Sequence, residues 1–215
     1  MNTDFNEKAG KDEAHFSPKR IIVRFFGFVL SLAMMISCSS AGHIFASGDL
    51  AAIGEKSYAK ISEAIAAAGE NDTVKLLPRA DGSPTRGCYT VSGKRNITID
   101  LNKATIEYRG KNEYLLKIEN SSVTIKNGTL NLQNAGSAVA VSGNSNVTFE
   151  NVTIKTSGRG VFVQSAGDTY IKVNSDTVIA SEKPSFYFGS EDASENITLD
   201  IFGKINSAMT AIYNI

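Results

Sequence analysis

The chain has few of the side chains on which most catalytic chemistry depends. Its 215 residues contain no tryptophan, two cysteines and two histidines. Three of those four, His15, Cys38 and His43, precede residue 47, so the remainder has one thiol, Cys88, and no imidazole. The composition therefore excludes Ser-His-Asp and Cys-His catalysis, a His-ligated metal site and an internal disulfide from residue 47 onward, and it suggests no cofactor.

The chain also has no excess of charge of either sign. From residue 47 onward there are 17 Lys and Arg against 18 Asp and Glu, because five basic and four acidic residues of the whole chain lie before that point. A balance near zero gives no field to attract nucleic acid or an anionic membrane. We therefore expect no nucleic-acid partner.

The first 46 residues have the features of a secretory leader. Basic residues within 19–24 precede a largely apolar stretch, 25–36. Its twelve residues fit a signal-peptide core and fall short of the roughly 20 needed to span a bilayer. We therefore expect a secreted or cell-surface protein.

Three fates of this leader stay open. Cleavage after Ala46 would release the protein or leave it associated with the cell wall. Residues 35–38 resemble a degenerate lipobox, with Met where Leu is usual, which would place a lipid anchor on Cys38. An uncleaved membrane anchor is the third alternative.

A short amphipathic helix is predicted over residues 57–69, after a linker at 47–56. Apolar residues recur there at three- and four-residue spacing, with Ser57 as the N-cap and Gly69 as the stop. We expect this helix to cap the repeats that follow it, since open repeat arrays need protected ends. Packing on a side face is the alternative.

Residues 70–215 repeat a short motif with a period of 24 to 26 residues. Five segments carry it: NITIDL from Asn96, SVTIKN from Ser122, NVTFEN from Asn146, YIKVNS from Tyr170 and NITLDI from Asn196. Such a period is typical of stacked structural repeats. Each repeat divides into three strand-sized pieces joined by turns too short for helices.

Equivalent positions of the repeats predict inward columns of aliphatic residues. The four predicted columns are Ile97, Val123, Val147, Ile171 and Ile197; Ile99, Ile125, Phe149, Val173 and Leu199; Ile106, Leu130, Ile154 and Val178; and Ile118, Val141, Val163 and Phe188. On the outside, the first strand presents one row of mainly Thr, from Thr98 to Thr198, and one of mixed charge, from Asp100 to Asp200. We interpret that face as structural.

Asn127 and Asn151 occupy the same turn position, 24 residues apart. Asn tolerates the left-handed backbone conformation, and stacked Asn side chains can bond from coil to coil. With these turns, NITIDLNKATI, SVTIKNGTLNL and NVTFENVTIKT resemble coils of the right-handed parallel β-helix, the pectate-lyase-like superfamily, and in particular bacterial secreted and surface β-helix proteins. The resemblance implies an all-β, right-handed single-stranded parallel β-helix with three strands per coil of 22–26 residues. It says little about activity, because the fold hosts lyases, hydrolases and binding proteins.

The third strand of each repeat carries the one unusual outward row. Lys117, Ala140, Phe162 and Tyr187 follow one another there, with no Asp or Glu. We interpret the aromatic pair as a carbohydrate platform, with flanking candidates Arg159, Lys117, Tyr108 and Tyr114. The alternative is that these rings pack beneath loops or a partner domain.

Two functional hypotheses follow. The first is a non-enzymatic, adhesin-like scaffold that binds an extracellular glycan or a surface protein. The second is a degenerate or truncated polysaccharide lyase or hydrolase, which would need an acidic site built from loop residues such as Asp168, Asp176 or Asp192. We also expect self-association through the strand edge at 211–215, because an exposed edge pairs readily with another chain.

Overall fold

The computed structural model of the protein is a parallel β-solenoid of about six turns. It describes residues 22–23, 48–164, 167–189 and 196–214. Most of the predicted leader, with its candidate lipidation site Cys38, lies outside these residues, as do Asp192 and Ile215.

The strands form two sheets. The large sheet contains thirteen strands: β1 (Ile22–Val23), β2 (Ala51–Ile53), β3 (Lys56–Tyr58), β4 (Thr73–Leu76), β5 (Thr85–Arg86), β7 (Ile97–Asp100), β8 (Thr105–Tyr108), β10 (Ser122–Leu132), β12 (Ser145–Thr156), β14 (Thr169–Val173), β15 (Val178–Ser181), β17 (Ile197–Ile201) and β18 (Lys204–Ser207). The small sheet contains six: β6 (Tyr89–Ser92), β9 (Tyr114–Glu119), β11 (Ser137–Ser142), β13 (Arg159–Gln164), β16 (Phe186–Phe188) and β19 (Ile212–Asn214). One helix, α1 (Ile61–Ala67), precedes β4.

Strands of successive coils pair in parallel, so equivalent residues stack. Val123 of β10 lies between Ile97 and Val147, and Ile125 lies between Ile99 and Phe149. Side chains on these inward columns are almost fully buried. Burying each one is worth about 1.5–3 kcal/mol, so the narrow interior stabilises the stack.

The predicted register is wrong between β14 and β17, the first strands of the last two repeats. Ile171 pairs with Leu199 instead of Ile197, so Thr198 lies opposite Tyr170 and Asp200 lies opposite Lys172. A shift of two residues keeps the same face inward. The alternating pattern of β17 therefore fits both registers.

A second register error concerns the third column. Ile154 pairs with Ile179, and the predicted Val178 pairs with Thr153. The reason is one extra residue in the turn before β15. Paired residues Val173 and Ile179 are six positions apart, whereas their partners Phe149 and Ile154 are five apart.

The predicted helix start at Ser57 is also wrong. Ser57 lies in β3, where it pairs with Ala52 of β2 in an antiparallel hairpin and its hydroxyl donates to Asp49. The helix begins at Ile61 with Lys60 as its N-cap. Part of the predicted linker 47–56 is thus the strand β2, which also pairs with β4.

Candidate functional site

The outward row of the small sheet is continuous and aromatic at one end. Register places Ala140 between Lys117 and Phe162, then Tyr187 and Tyr213 in succession. Ring centroids of Phe162 and Tyr187 are 5.6 Å apart, and those of Tyr187 and Tyr213 are 5.3 Å apart. Tyr213 was not among the residues singled out from the sequence.

Tyr114 joins this row from two coils away. Its ring lies 6.3 Å from that of Phe162, with an interplanar angle of 15°. The intervening coil presents the small residues Ala140 and Ser137 at the paired positions. We call Tyr114, Phe162, Tyr187 and Tyr213 the aromatic row.

A surface depression of about 540 Å³ lies beside the aromatic row, where the strands of the small sheet begin. We call it the depression. Its lining combines two rings, amide side chains, charged groups and small residues: Gly110, Lys111, Asn112, Glu113, Tyr114, Asn134, Ala135, Gly136, Ser137, Arg159, Phe162 and Gln164.

Close-packed turns fix the wall of the depression. Asn134 donates from Nδ2 to the carbonyls of Gly110 and Asn112, at 2.8 and 2.9 Å. Its Oδ1 accepts the Gly136 N–H at 2.7 Å. Because one amide side chain ties two turns together, this wall is held in place by the chain itself.

Arg159 connects the depression to the aromatic row. Its guanidinium carbon lies 4.2 Å from the Tyr187 ring centroid and 5.7 Å from that of Phe162, which are cation–π distances. No ion pair joins Arg159 to a carboxylate among the described residues. The stacked rings therefore hold the cation in place of an acidic partner.

Tyr114 presents a neutral hydroxyl to the depression. Burial raises the pKa of this hydroxyl, and a hydrogen bond with Glu113 raises it further. The Tyr114 hydroxyl and the Glu113 carboxylate both offer oxygens to a ligand.

Two predicted candidates, Lys117 and Tyr108, do not line the depression. Lys117 pairs with Glu119, Nζ to Oε1 at 2.5 Å, and that hydrogen bond raises the pKa of the ammonium group. Lys117 lines a neighbouring hollow of about 390 Å³. Tyr108 belongs to the large sheet and packs against the core, while its hydroxyl accepts the exposed N–H of Asn112, a residue of the depression, at 3.4 Å.

The predicted Asn turn positions lie within long strands. Asn127 and Asn151 have φ values of 60° and 51°, which bend β10 and β12 without ending them. Asn151 Nδ2 donates to Asn127 Oδ1 at 3.2 Å, and Asn127 Nδ2 donates to Asp100 Oδ1 at 3.2 Å. The bends of three coils are thereby joined on the outside of the solenoid.

Past the other end of the small-sheet strands, buried hydroxyls stack from coil to coil. We call Ser121, Ser145 and Thr169 the hydroxyl ladder. Ser145 Oγ accepts the Ser121 N–H at 3.2 Å and donates to the Ser142 carbonyl at 2.7 Å. Thr169 Oγ1 donates to the Gly143 carbonyl at 3.1 Å. Each of these buried hydroxyls has a partner within the fold.

Of the three acidic residues named for a hydrolytic site, the structure describes Asp168 and Asp176, and these two do not come together. Asp168 precedes β14 and accepts from Asn196, whereas Asp176 follows β14 and accepts the Asn151 N–H. A five-residue strand separates them, which is about 16 Å of extended chain. Acid and base carboxyls of inverting glycosidases lie about 6.5–9.5 Å apart, so this pair cannot share that work.

The predicted self-association through 211–215 stays a prediction. β19 pairs with β16 on one side. Three large apolar side chains are exposed in the last described coil: Phe202 at 37%, Met209 at 61% and Tyr213 at 46%. This coil is therefore less well covered than those before it.

Comparison with protein-family models, with curated proteins and with solved structures finds no match to this chain. Within the residues that the structure describes, no group of three His, Cys, Asp or Glu side chains could hold a metal ion. In that same part of the chain no helix is long and apolar enough to cross a membrane.

Proposed function

We propose that this protein is a non-enzymatic scaffold that binds carbohydrate at the depression. The supporting observation is the combination of Tyr114 and Phe162 with Arg159 and fixed amide side chains around one hollow. Aromatic rings cover the apolar faces of sugars, while amide, carboxylate and guanidinium groups bond to hydroxyls. The separation of Asp168 and Asp176 supports binding over hydrolysis.

The finer description of the fold belongs to the same proposal. We propose a right-handed β-helix of the pectate-lyase-like superfamily with three strands per coil, the first two divided by the Asn bends. The buried face of α1, formed by Ile61, Ala64 and Ile65, joins the core cluster and supports a role as N-terminal cap. The leader pattern in residues 1–46 supports a secreted or cell-surface location.

A glycan array followed by calorimetric titration tests the binding proposal. We expect the wild-type protein to retain a subset of glycans, and Tyr114→Ala and Phe162→Ala to weaken binding about tenfold, because a ring contact is worth about 1–1.5 kcal/mol. Tyr213→Ala is the matched control, since Tyr213 continues the aromatic row without lining the depression.

Circular dichroism and thermal unfolding first establish that the three variants are folded, so that a change in affinity reflects the altered side chain. Equal affinity of wild type, Tyr114→Ala and Phe162→Ala would show that the rings serve packing alone, whereas release of reducing ends or unsaturated products from a bound polysaccharide would contradict a non-enzymatic role.

A further inference from the structure

Two paired residues in the lining of the depression each have a buried polar atom without a hydrogen-bond partner. Ser137 Oγ and Arg159 Nε are shielded from solvent and have no hydrogen-bond partner among the described residues. The two residues face each other in register on β11 and β13. Both line the depression.

Such atoms require an explanation. A buried polar group without a partner costs stability, and native folds contain few of them. The part of the chain that the structure describes contains one other side-chain atom of this kind, Asp200 Oδ1. Two of the three therefore occur on neighbouring coils in the candidate site.

Ser137 is 1% exposed, so water does not compensate for the missing bond from outside. The comparable buried serine Ser185, at 0% exposure, has a partner: its hydroxyl lies 2.8 Å from Ser181 Oγ. At this purely structural position, the fold itself supplies a hydrogen-bond partner for the buried serine hydroxyl. The unpaired Ser137 indicates a bond that is completed by another molecule.

The chemistry of the two atoms restricts that molecule. Arg159 Nε–H can only donate, whereas a serine hydroxyl can donate and accept. A ligand hydroxyl satisfies both at once, since it accepts from Arg159 and donates to Ser137. In the same lining Glu113 balances one of the two cations, Lys111 and Arg159, and its carboxylate accepts from further hydroxyls.

We propose that Ser137 and Arg159 form a subsite that binds one hydroxyl group of an uncharged glycan. This inference rests on the proposed carbohydrate binding and names the chemistry of its anchor point. Because both atoms are shielded, a rotation of the half-buried Arg159 side chain over Tyr187 admits the hydroxyl. The free protein carries the cost of the unpaired atoms, and the ligand removes it.

Thermal unfolding of the full chain gives the first test. Ser137→Ala removes an unpaired hydroxyl, so we expect the apparent Tm of the free protein to rise by about 2–4 °C. Ser185→Ala is the matched control and should lower the Tm, because it leaves Ser181 Oγ without its partner. A lower Tm for Ser137→Ala would show that the hydroxyl is already satisfied and would overturn the proposal.

Titration with short oligosaccharides gives the second test. Neutral xylo-, manno- and cello-oligosaccharides are compared with oligogalacturonates. For the neutral sugar that binds wild type most tightly, we expect Ser137→Ala to weaken binding about threefold to tenfold and Ser185→Ala to leave it unchanged. Arg159→Lys keeps the charge but loses the planar donors, and should weaken binding about tenfold.

The outcomes separate this proposal from the one on which it rests. Full-strength binding by Ser137→Ala would contradict the subsite alone, and tighter binding of oligogalacturonates than of neutral sugars would contradict the hydroxyl assignment. If wild type binds none of the glycans, the proposed function itself fails, and the subsite fails with it.

Discussion

The two ends of the small sheet contain the same kind of residue in opposite hydrogen-bonding states. Past the ends of β9 and β11, Ser121 and Ser145 are buried and bonded from one coil to the next. At the start of β11, Ser137 is equally buried, but its hydroxyl has no hydrogen-bond partner among the described residues. Burial and residue type are therefore not sufficient to assign a role. What differs is whether the neighbouring coil supplies a partner.

The turns at the two ends differ in the same way. Beside the hydroxyl ladder, Asn120, Asn144, Asp168 and Asn196 form an exposed chain of hydrogen bonds across four coils. Beside the depression, Asn134 binds two turns, but Lys111 and Gln164 line the hollow, and Arg159 lines it with its guanidinium over the rings. The ladder end uses its polar groups for the fold, and the depression end leaves several for a ligand.

The largest expected effect tests whether the wall of the depression is as rigid as the ladder. In Gly136→Ala, the new Cβ would collide with the backbone carbonyl of Glu113, which cannot move aside as a side chain would. We expect a loss of about 2–3 kcal/mol in the free energy of unfolding, together with loss of glycan binding.

Ala135→Ser is the control for that substitution, since Ala135 is exposed on the same turn. It should change the free energy of unfolding by less than about 0.5 kcal/mol. Chemical denaturation measures both variants. Equal stability of the two would mean that the turn relaxes and that the depression is not rigid.

An effect of intermediate size tests the buried hydroxyls. Ser145→Ala leaves the buried Ser121 N–H without its partner, and it removes one of the two hydrogen bonds to the Ser142 carbonyl, which keeps the Asn120 N–H. We therefore expect a loss of about 1–3 kcal/mol in the free energy of unfolding. The exposed Ser92→Ala is its control. Ser137→Ala is expected to stabilise the protein. The same change, from Ser to Ala, should therefore alter the free energy of unfolding in opposite directions at the two ends of the small sheet. The same sign at both ends would remove the contrast.

The smallest effect concerns the exposed part of the ladder end. Asn144 Oδ1 accepts the Asp168 N–H at 2.9 Å, but water can replace this bond at the surface. We expect Asn144→Ala to cost about 0.5–1 kcal/mol in denaturant unfolding. Asn146→Ala, two residues along and also exposed, should cost less. A loss above that of Ser145→Ala would show that the outer chain of bonds stabilises the stack more than the buried one.

The sequence predicted the fold well where the period is regular. The first two inward columns follow the predicted register from Ile97 to Val147 and from Ile99 to Phe149, because each level needs an aliphatic or aromatic residue and the spacing allows one alignment. The register failed at Ile197 and Val178, where turn length changes. Turn length is not encoded in the alternation of polar and apolar residues.

The candidate site was predicted in part. Phe162, Tyr187, Tyr114 and Arg159 come together, because outward positions of equivalent strands must form a row. Ser137 was missed, although a small residue in a row of bulky ones is a signal of a hollow. Tyr108 was predicted to flank the aromatic pair, but its strand belongs to the other sheet, and its hydroxyl reaches a residue of the depression, Asn112.

By itself, the sequence determined the period, most of the inward columns and the Asn turn positions, since each depends on residue type and spacing along one chain. Only the tertiary structure decided which side chains meet across coils. It placed Tyr114 against Phe162 over a coil of small residues, and it left Ser137 without the partner that Ser145 has. Hydrogen bonding of a buried group depends on its neighbours in space, and those are set by register and turn length.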